Sequence, residues 1–282
     1  MGELRKVKKY EELKFQDDFM FGKVMEDMEL SRELLQCLLQ KPVAELTMVQ
    51  TQREFGFVAD GKPIRLDVYC IDSNNVVYDA EMENLNHKSV KSHELPKRSR
   101  YYQASIDIDQ MDKSDSYAKL PESNIMFICT FDPFGEGYGI YTFNKMCKEN
   151  PNIQLNDGAT IVFYNCTYEG EDLPEDIKQF YKYIRTGKSE SRLTERINDA
   201  VIKCRHNEEW RTLYMKERAL KMDLIEEGRV EGFEEGLAEG REIGREEERE
   251  SNIEKLASIL VSRDKTLSMD EARKIIRESL EQ

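Results

Sequence analysis

The chain has 282 residues, of which 39% are hydrophobic and 35% charged, and this composition suits a globular protein with one large domain, or a domain plus an appendage. Its formal net charge of −14 argues against general nucleic-acid binding, so such a role needs a local basic surface. The 6 cysteines form no CxxC pair and the 3 histidines form no HExxH motif, which argues against a zinc site.

The sequence pattern predicts neither a membrane span nor a secretory signal. No apolar run approaches the roughly 18 residues that a membrane-spanning helix needs. The first ten residues are charged and lack the apolar region of a secretory signal. We therefore expect a reduced, cytoplasmic protein that does not enter a membrane, with cysteines that serve as small hydrophobic residues.

The first half of the chain is predicted to contain one or two helices, two strands and a further helix. Residues 17–40 carry apolar side chains near the i, i+3, i+4 spacing of a helix. From 53 to 83 the period changes to two, with a polar turn at 72–75 between two β-like runs. A helix at 95–111 follows and has a proline in its first turn.

The second half adds three short strands, which we place at 124–131, 138–143 and 159–166. A helix at 173–187 follows them and ends in glycine. The order αββαβββα predicts an α/β fold in which helices flank a mixed β-sheet. After about residue 190 the strands stop, so we predict one domain at 1–190 and an all-helical C-terminal tail.

The tail is predicted to have three parts: a helical extension at 191–225, a Gly/Glu-rich helical or flexible repeat at 226–250, and a helical hairpin at 251–282. In the repeat, every fourth residue is glycine, at Gly228, Gly232, Gly236, Gly240 and Gly244. Such a stripe of small residues could let a second copy approach, which would make a homo-oligomer through the C-terminal helices. A flexible spacer is the other interpretation.

Four carboxylates lie on the two predicted strands, at Asp67, Asp79, Glu81 and Glu83. Side chains two residues apart share a face of a strand, so the last three project together. The apolar side chains predicted to form the core beneath these strands are Ile64, Leu66, Val68, Cys70, Val76, Tyr78, Ala80 and Met82. If both strands bury those side chains in one core, all four carboxylates converge on the opposite face.

Converging carboxylates have two interpretations. Like charges about 4 Å apart repel by roughly 4 kcal/mol at an effective dielectric constant of about 20. Such a cluster is tolerable when it is well solvated, partly protonated or neutralised by a divalent cation. Oxygen-only ligands suit Mg²⁺ or Mn²⁺ rather than zinc. The pattern therefore predicts either the acidic, solvated face of a hairpin or a metal site.

A basic segment follows the acidic strands. In residues 86–100, five Lys and Arg residues stand against a single Glu, a net charge of +4. Two tyrosines, Tyr101 and Tyr102, come directly after it. A basic helix start beside an acidic hairpin is suited to binding a phosphate chain next to a metal. A charged, solvated helix face is the alternative.

The ordered series of segments resembles the PD-(D/E)XK nuclease family transposases, also described as recombination-promoting nucleases. The residues that carry the resemblance are Asp67, Glu81-Met82-Glu83 after thirteen intervening residues, LPKRSRYYQASID, NIMFICTFDPFG and YTF. The resemblance covers about Phe15 to Ile184. It implies a restriction-endonuclease-like core, a mixed sheet flanked by helices, that cuts DNA with Mg²⁺ or Mn²⁺.

The resemblance also implies roles for individual residues. Asp67 and Glu81 match the two motif acids and would coordinate the metal, with Asp79 as a further candidate ligand. The candidate nucleic-acid-binding residues are Lys97, Arg98, Arg100 and Tyr102. Of these, Arg98 and Arg100 match basic residues of the family's following helix. The family also has an acidic residue in its first helix where this chain has Asp18.

Glu83 departs from the family pattern, which has Lys at this catalytic position and in this branch usually Gln. Glu83 could bind a second metal together with Asp79. A neighbouring cation such as Lys97 or Arg98 could instead supply the missing positive charge. The third interpretation is an impaired enzyme.

Three functions remain open at this point. The leading hypothesis is a Mg²⁺-dependent DNA endonuclease associated with recombination or mobile elements. The second is a catalytically impaired protein that uses the nuclease fold as a DNA-binding or protein-interaction module. A toxin or defence nuclease that acts on invading DNA or RNA is the third, and the sequence does not separate it from the first.

Overall fold

The computed structural model describes residues 8–55, 62–84 and 94–280. Contacts within the chain divide it into two compact units, with the division between Tyr214 and Met215. The first unit contains a six-stranded sheet with helices on both of its faces. None of the described helices is long and apolar enough to cross a membrane.

The sheet is mixed, as predicted. Its strands are β1 Leu46–Phe55, β2 Ile64–Asp72, β3 Val77–Glu83, β4 Ser123–Cys129, β5 Ile140–Phe143 and β6 Ala159–Asn165. They are arranged in the order β1-β2-β3-β4-β6-β5. The β3–β4 and β4–β6 pairs are parallel and the other three are antiparallel. Most of β1 precedes the predicted start of the strand region at residue 53. This edge strand leaves many side chains partly or fully exposed, so its apolar periodicity is weak.

Seven α-helices complete the described fold. They are α1 Asp18–Met25, α2 Met28–Leu39, α3 Leu95–Asp109, α4 Glu175–Thr186, α5 Arg192–Arg205, α6 Glu208–Arg263 and α7 Met269–Leu280. The predicted helical region at 17–40 is therefore two helices, and Asp27 begins the second by accepting a hydrogen bond from the Leu30 amide at 3.0 Å. Gly187 ends α4 with a φ of 74°, in the left-handed conformation that glycine adopts easily.

The two faces of the sheet bury separate hydrophobic clusters. The larger cluster joins α1, α2, α4 and α5 to the β3 side chains Tyr78, Ala80 and Met82, as the alternation predicts. The smaller one lies under α3. Both faces of β3 are therefore covered, so the acidic side of this strand is not the solvated face of an exposed hairpin.

The prediction that the apolar residues of β2 share one core was wrong for its first half. Val68 and Cys70 lie in the larger cluster, whereas Ile64 and Leu66 lie in the smaller one. The change occurs at Asp67, where the neighbouring part of β1 contains Gln52 with a φ of 54°. The pairing of β2 with β3 ends at Val68, so the part of β2 before this point pairs with β1 alone.

The first compact unit continues beyond residue 190. Helix α5 contributes Ile197, Val201 and Cys204 to the larger cluster, so the polar sequence after the last strand still has a buried face. The predicted domain boundaries, at residues 190, 225 and 250, stay predictions.

The second unit, from Met215 onward, is helical in its described part. The glycine repeat lies within α6. Near the end of the chain, α7 packs against the end of α6, where Ala257 and Ala272 are buried and Arg273 pairs with Glu254 at 2.7 Å. Helix α7 begins with a capping box, in which the Ser268 amide donates to the Glu271 carboxylate and the Glu271 amide donates to the Ser268 hydroxyl.

Candidate active site

Two of the predicted metal ligands face each other where the β2–β3 ladder ends. The last paired residues on this side are Val68 and Ala80, so the next backbone amides need other acceptors. The Asp67 amide donates to Oε1 of Glu81 at 2.8 Å, and the Met82 amide donates to Oδ2 of Asp67 at 3.1 Å. Each carboxylate thus binds the backbone of the opposite strand and keeps one oxygen free of backbone donors.

The third predicted ligand, Asp79, is fully buried between β2 and β4. It lies opposite Tyr69 and two residues before Glu81 on the same face of β3. Neither of its carboxylate oxygens accepts a hydrogen bond from an N–H or hydroxyl group of the residues that the structure describes. An ionised carboxylate in this environment is costly unless a cation compensates it.

Burial makes all three of these acids reluctant to ionise. It raises the pKa of Asp67 to about 6, against the lowering effect of the Met82 amide. For Asp79, burial and then the charge of Asp67 raise the pKa well above its ordinary value. Burial and then the charge of Asp79 do the same for the pKa of Glu81. The positive charge of Arg98 has the opposite effect and lowers all three pKa values.

Glu83 forms an ion pair with Arg98. The Nη2 atom of Arg98 contacts Oε1 of Glu83 and lies 3.6 Å from Oε2 of Glu81. The Arg98 guanidinium also lies over two aromatic rings, 5.4 Å from the centroid of Tyr102 and 5.2 Å from that of Phe127. This contact corresponds to the interpretation in which a neighbouring cation accompanies Glu83.

The four predicted nucleic-acid-binding residues of α3 have different environments. Lys97 and Arg100 are exposed, and Arg98 is 34% exposed beside the acidic group. Tyr102, which is also predicted to bind nucleic acid, stacks its ring on Phe127 and is only 9% exposed, so it offers little surface to DNA in this position. Helix α3 turns this side chain toward β4, whereas Tyr101, the next residue toward the N-terminus, is 44% exposed.

Two residues near Asp67 complete its surroundings. Gln52 of β1 donates a long hydrogen bond from Nε2 to Oδ1 of Asp67, at 3.4 Å. Gln52 was not among the predicted site residues, because the weak apolar alternation of β1 gives no signal for this strand. Asp18, at the start of α1, is close enough for its charge to raise the pKa of Asp67.

The donor set suits a divalent cation that prefers oxygen ligands. Asp67, Asp79 and Glu81 are three acids at one place, and Asp79 accepts no N–H or hydroxyl donor among the described residues. In those parts of the chain, however, no three His, Cys, Asp or Glu side chains are already grouped as ligands around an ion. Binding a cation therefore requires the carboxylates to adjust from the arrangement described above.

The mixed sheet, its flanking helices and the facing acids of β2 and β3 define a fold of the PD-(D/E)XK nuclease type. The chain belongs to the PD-(D/E)XK nuclease family transposases, whose family model matches residues 15–226. This confirms the resemblance and the fold class inferred from the sequence. Comparisons with curated proteins and with solved structures give no significant match. Family membership supports a nuclease-type enzyme related to recombination or mobile elements, in a class that generally uses divalent metals and acts on DNA.

Proposed function

We propose that the protein is a Mg²⁺- or Mn²⁺-dependent endonuclease that hydrolyses phosphodiester bonds of DNA in recombination or in the movement of mobile elements. The observation that carries this proposal is the group of acids formed by the half-buried Asp67 and the buried Asp79 and Glu81. A group of this kind is unfavourable by itself and becomes favourable when a divalent cation neutralises it.

Each part of the site has a role in this proposal. Asp67 and Glu81 would hold the cation, with Asp79 as the third acid. When bound, a divalent ion lowers the pKa of a coordinated water and polarises the phosphate. Arg98 offers N–H donors at the border of the acidic group, where it can bind a phosphate oxygen.

DNA contacts come from the exposed side of α3 in this proposal. Lys97 and Arg100 project there in a protein whose overall charge is −14. Because contacts to phosphate position nucleic acid without reading its sequence, these residues would align the duplex and not select a target.

A non-catalytic module on the same fold is the second candidate. It is favoured by one observation, that Glu83 stands in place of the motif Lys or Gln and pairs with Arg98. Such a module would bind DNA through Lys97 and Arg100 and would not cut it at any concentration of Mg²⁺ or Mn²⁺.

Cleavage of supercoiled plasmid separates these candidates. We expect nicking or linearisation by the wild-type protein with Mg²⁺ or Mn²⁺ and none with EDTA. Asp67→Asn and Glu81→Gln should each reduce the rate by about 100-fold or more, because each removes a charged ligand. Glu54→Gln is the matched control, since it removes an exposed carboxylate from β1 and should cut at the wild-type rate.

Absence of cleavage by the folded wild-type protein with either metal would reject the endonuclease. Retention of DNA binding that depends on Lys97 and Arg100 would then support the module.

A further inference from the structure

Glu83 stands where the family motif has Lys or Gln, and a basic residue of α3 contacts it. Glu83 is the last residue of β3 and pairs with Arg98, which lies in the first turn of the helix. The same Nη2 atom is 3.6 Å from Glu81, so one guanidinium lies beside a proposed metal ligand and beside the substituted position. The positive charge that a lysine at position 83 would bring is therefore present, but it comes from another element.

The guanidinium is held from several sides. Phe127 of β4 lies next to Glu81 in the parallel β3–β4 pair, and its ring is stacked with that of Tyr102. Arg98 lies over both rings, a cation–π arrangement that orients the guanidinium plane. Glu83 adds a charged contact that fixes the end of the side chain.

Arg98 retains hydrogen-bonding capacity in this position. A guanidinium has five N–H donors, and the contacts to Glu81 and Glu83 both use Nη2. The Nε donor is buried and has no partner among the described residues, so the donors that a phosphate oxygen can reach lie on the exposed third of the side chain. A side chain held this way can donate to a phosphate oxygen as an additional partner without leaving Glu83.

We propose that Glu83 is a positioning residue that holds Arg98 beside the acidic group, and that Arg98 supplies from α3 the positive charge that the motif lysine supplies from the strand. This inference rests on the proposed nuclease function for the action of Arg98. The positioning of Arg98 by Glu83 is a separate statement and can be tested without catalysis.

The first test measures Mn²⁺ affinity in the absence of DNA. Because Glu83 is engaged by Arg98, it is not a metal ligand in this proposal, and Glu83→Gln should change the dissociation constant for Mn²⁺ by less than about threefold. Glu81→Gln should weaken Mn²⁺ binding by about tenfold or more. A tenfold loss in Glu83→Gln would identify Glu83 as a ligand and overturn the proposal.

The second test observes the Arg98 Nε–H group by ¹⁵N NMR. In the wild-type protein we expect a resolved signal with slow exchange, because the side chain is fixed. Glu83→Ala should speed this exchange by about tenfold or more, while Glu83→Gln should have a smaller effect because its amide oxygen still accepts a hydrogen bond. Unchanged exchange in Glu83→Ala would show that the aromatic rings alone hold Arg98 and would reject the positioning role.

The third test is a double-mutant cycle on plasmid cleavage. Arg98→Gln should lower kcat by about 100-fold with little change in KM, since Arg98 acts on developing charge. Glu83→Ala should lower kcat by about tenfold in the wild-type background and have no further effect beside Arg98→Gln. Glu83→Lys introduced beside Arg98→Gln should restore part of the lost rate.

Arg100→Gln is the matched comparison, because it removes the same charge from the exposed side of α3. Its effect should fall on KM and should be the same in the wild-type background and beside Glu83→Ala. Independent effects of Glu83→Ala and Arg98→Gln, or faster cleavage by Arg98→Gln, would overturn the proposal. A wild-type protein that cuts no DNA would reject the proposed function together with the role of Arg98, and the NMR test would still decide the positioning by Glu83.

Discussion

Asp79 is the residue at which stability and proposed function conflict most clearly. Its carboxylate is fully buried and accepts no hydrogen bond from an N–H or hydroxyl group of the described residues, whereas most buried polar groups have such a partner. Asp72, at the end of β2, is buried to a similar degree but has several donors. It accepts hydrogen bonds from the Asn74 and Val76 amides and from the Tyr78 hydroxyl.

Because of this contrast, replacing each of the two buried acids by asparagine should change the free energy of unfolding in opposite directions. In EDTA, Asp79→Asn should raise the free energy of unfolding by about 1 kcal/mol or more, because it removes the cost of burying a carboxyl group that is ionised in the unfolded chain, and its amide can donate to neighbouring carboxylates. Asp72→Asn should lower that free energy by about 1–3 kcal/mol, because it weakens three hydrogen bonds. The single tryptophan, Trp210, packs against the larger cluster and its fluorescence reports urea unfolding of the first unit. A lower stability in Asp79→Asn would contradict this account.

At the level of elements, the sequence predicted the strands that carry the acids better than the contacts between them. Alternation placed Asp79 and Glu81 on one face of β3, and both are buried there, away from the cluster that holds Tyr78, Ala80 and Met82. Alternation could not place Arg98 against Glu83, because that contact depends on how α3 packs on the sheet. Nor could the sequence show that Tyr102, a predicted nucleic-acid-binding residue, packs its ring against Phe127, because that contact too depends on how α3 packs on the sheet.

Two glycines in different helix positions, one at the end of α4 and one inside α6, should respond in opposite ways to replacement by alanine. A methyl group at Gly187 or Gly236 would meet nothing within 4 Å, so both sites have room for alanine. Gly187 has a φ of 74°, however, whereas Gly236 lies inside α6. Gly187→Ala should therefore lower the stability of the first unit by about 1 kcal/mol, and Gly236→Ala should stabilise α6 by about 1 kcal/mol.

Trp210 fluorescence during urea unfolding measures the first effect, and hydrogen exchange of the α6 amides measures the second. Slower exchange in Gly236→Ala is the expected result. Faster exchange there would mean that the glycine serves a close contact, as the predicted association of two copies through the C-terminal helices requires. That association stays a prediction.

For the whole molecule, the acidic charge limits how DNA can bind. Residues 226–250 hold 11 Glu and 4 Arg, a net charge of −7, which is half of the total of −14. The proposed DNA contacts come from three basic residues of α3, namely Lys97, Arg98 and Arg100. The overall composition argued against general nucleic-acid binding, and only the local basic segment and the family pattern indicated DNA.

A small number of phosphate contacts predicts a shallow dependence of DNA affinity on salt. With about three contacts, the logarithm of the association constant should fall with the logarithm of the salt concentration with a slope of about −3. Lys97→Gln should reduce the size of that slope by about one. Fluorescence anisotropy of a labelled duplex, measured without catalytic metal, gives both values. A slope that Lys97→Gln leaves unchanged would place the contacts elsewhere.

The acidic group of β2 and β3 is the central element of this account, and equilibrium binding of Mn²⁺, followed by electron paramagnetic resonance, tests it most directly. We expect saturable binding to the wild-type protein, weakened by about tenfold or more in Asp67→Asn and in Glu81→Gln and unchanged in the exposed control Glu54→Gln. Absence of saturable binding, or equal affinity in all four proteins, would contradict it.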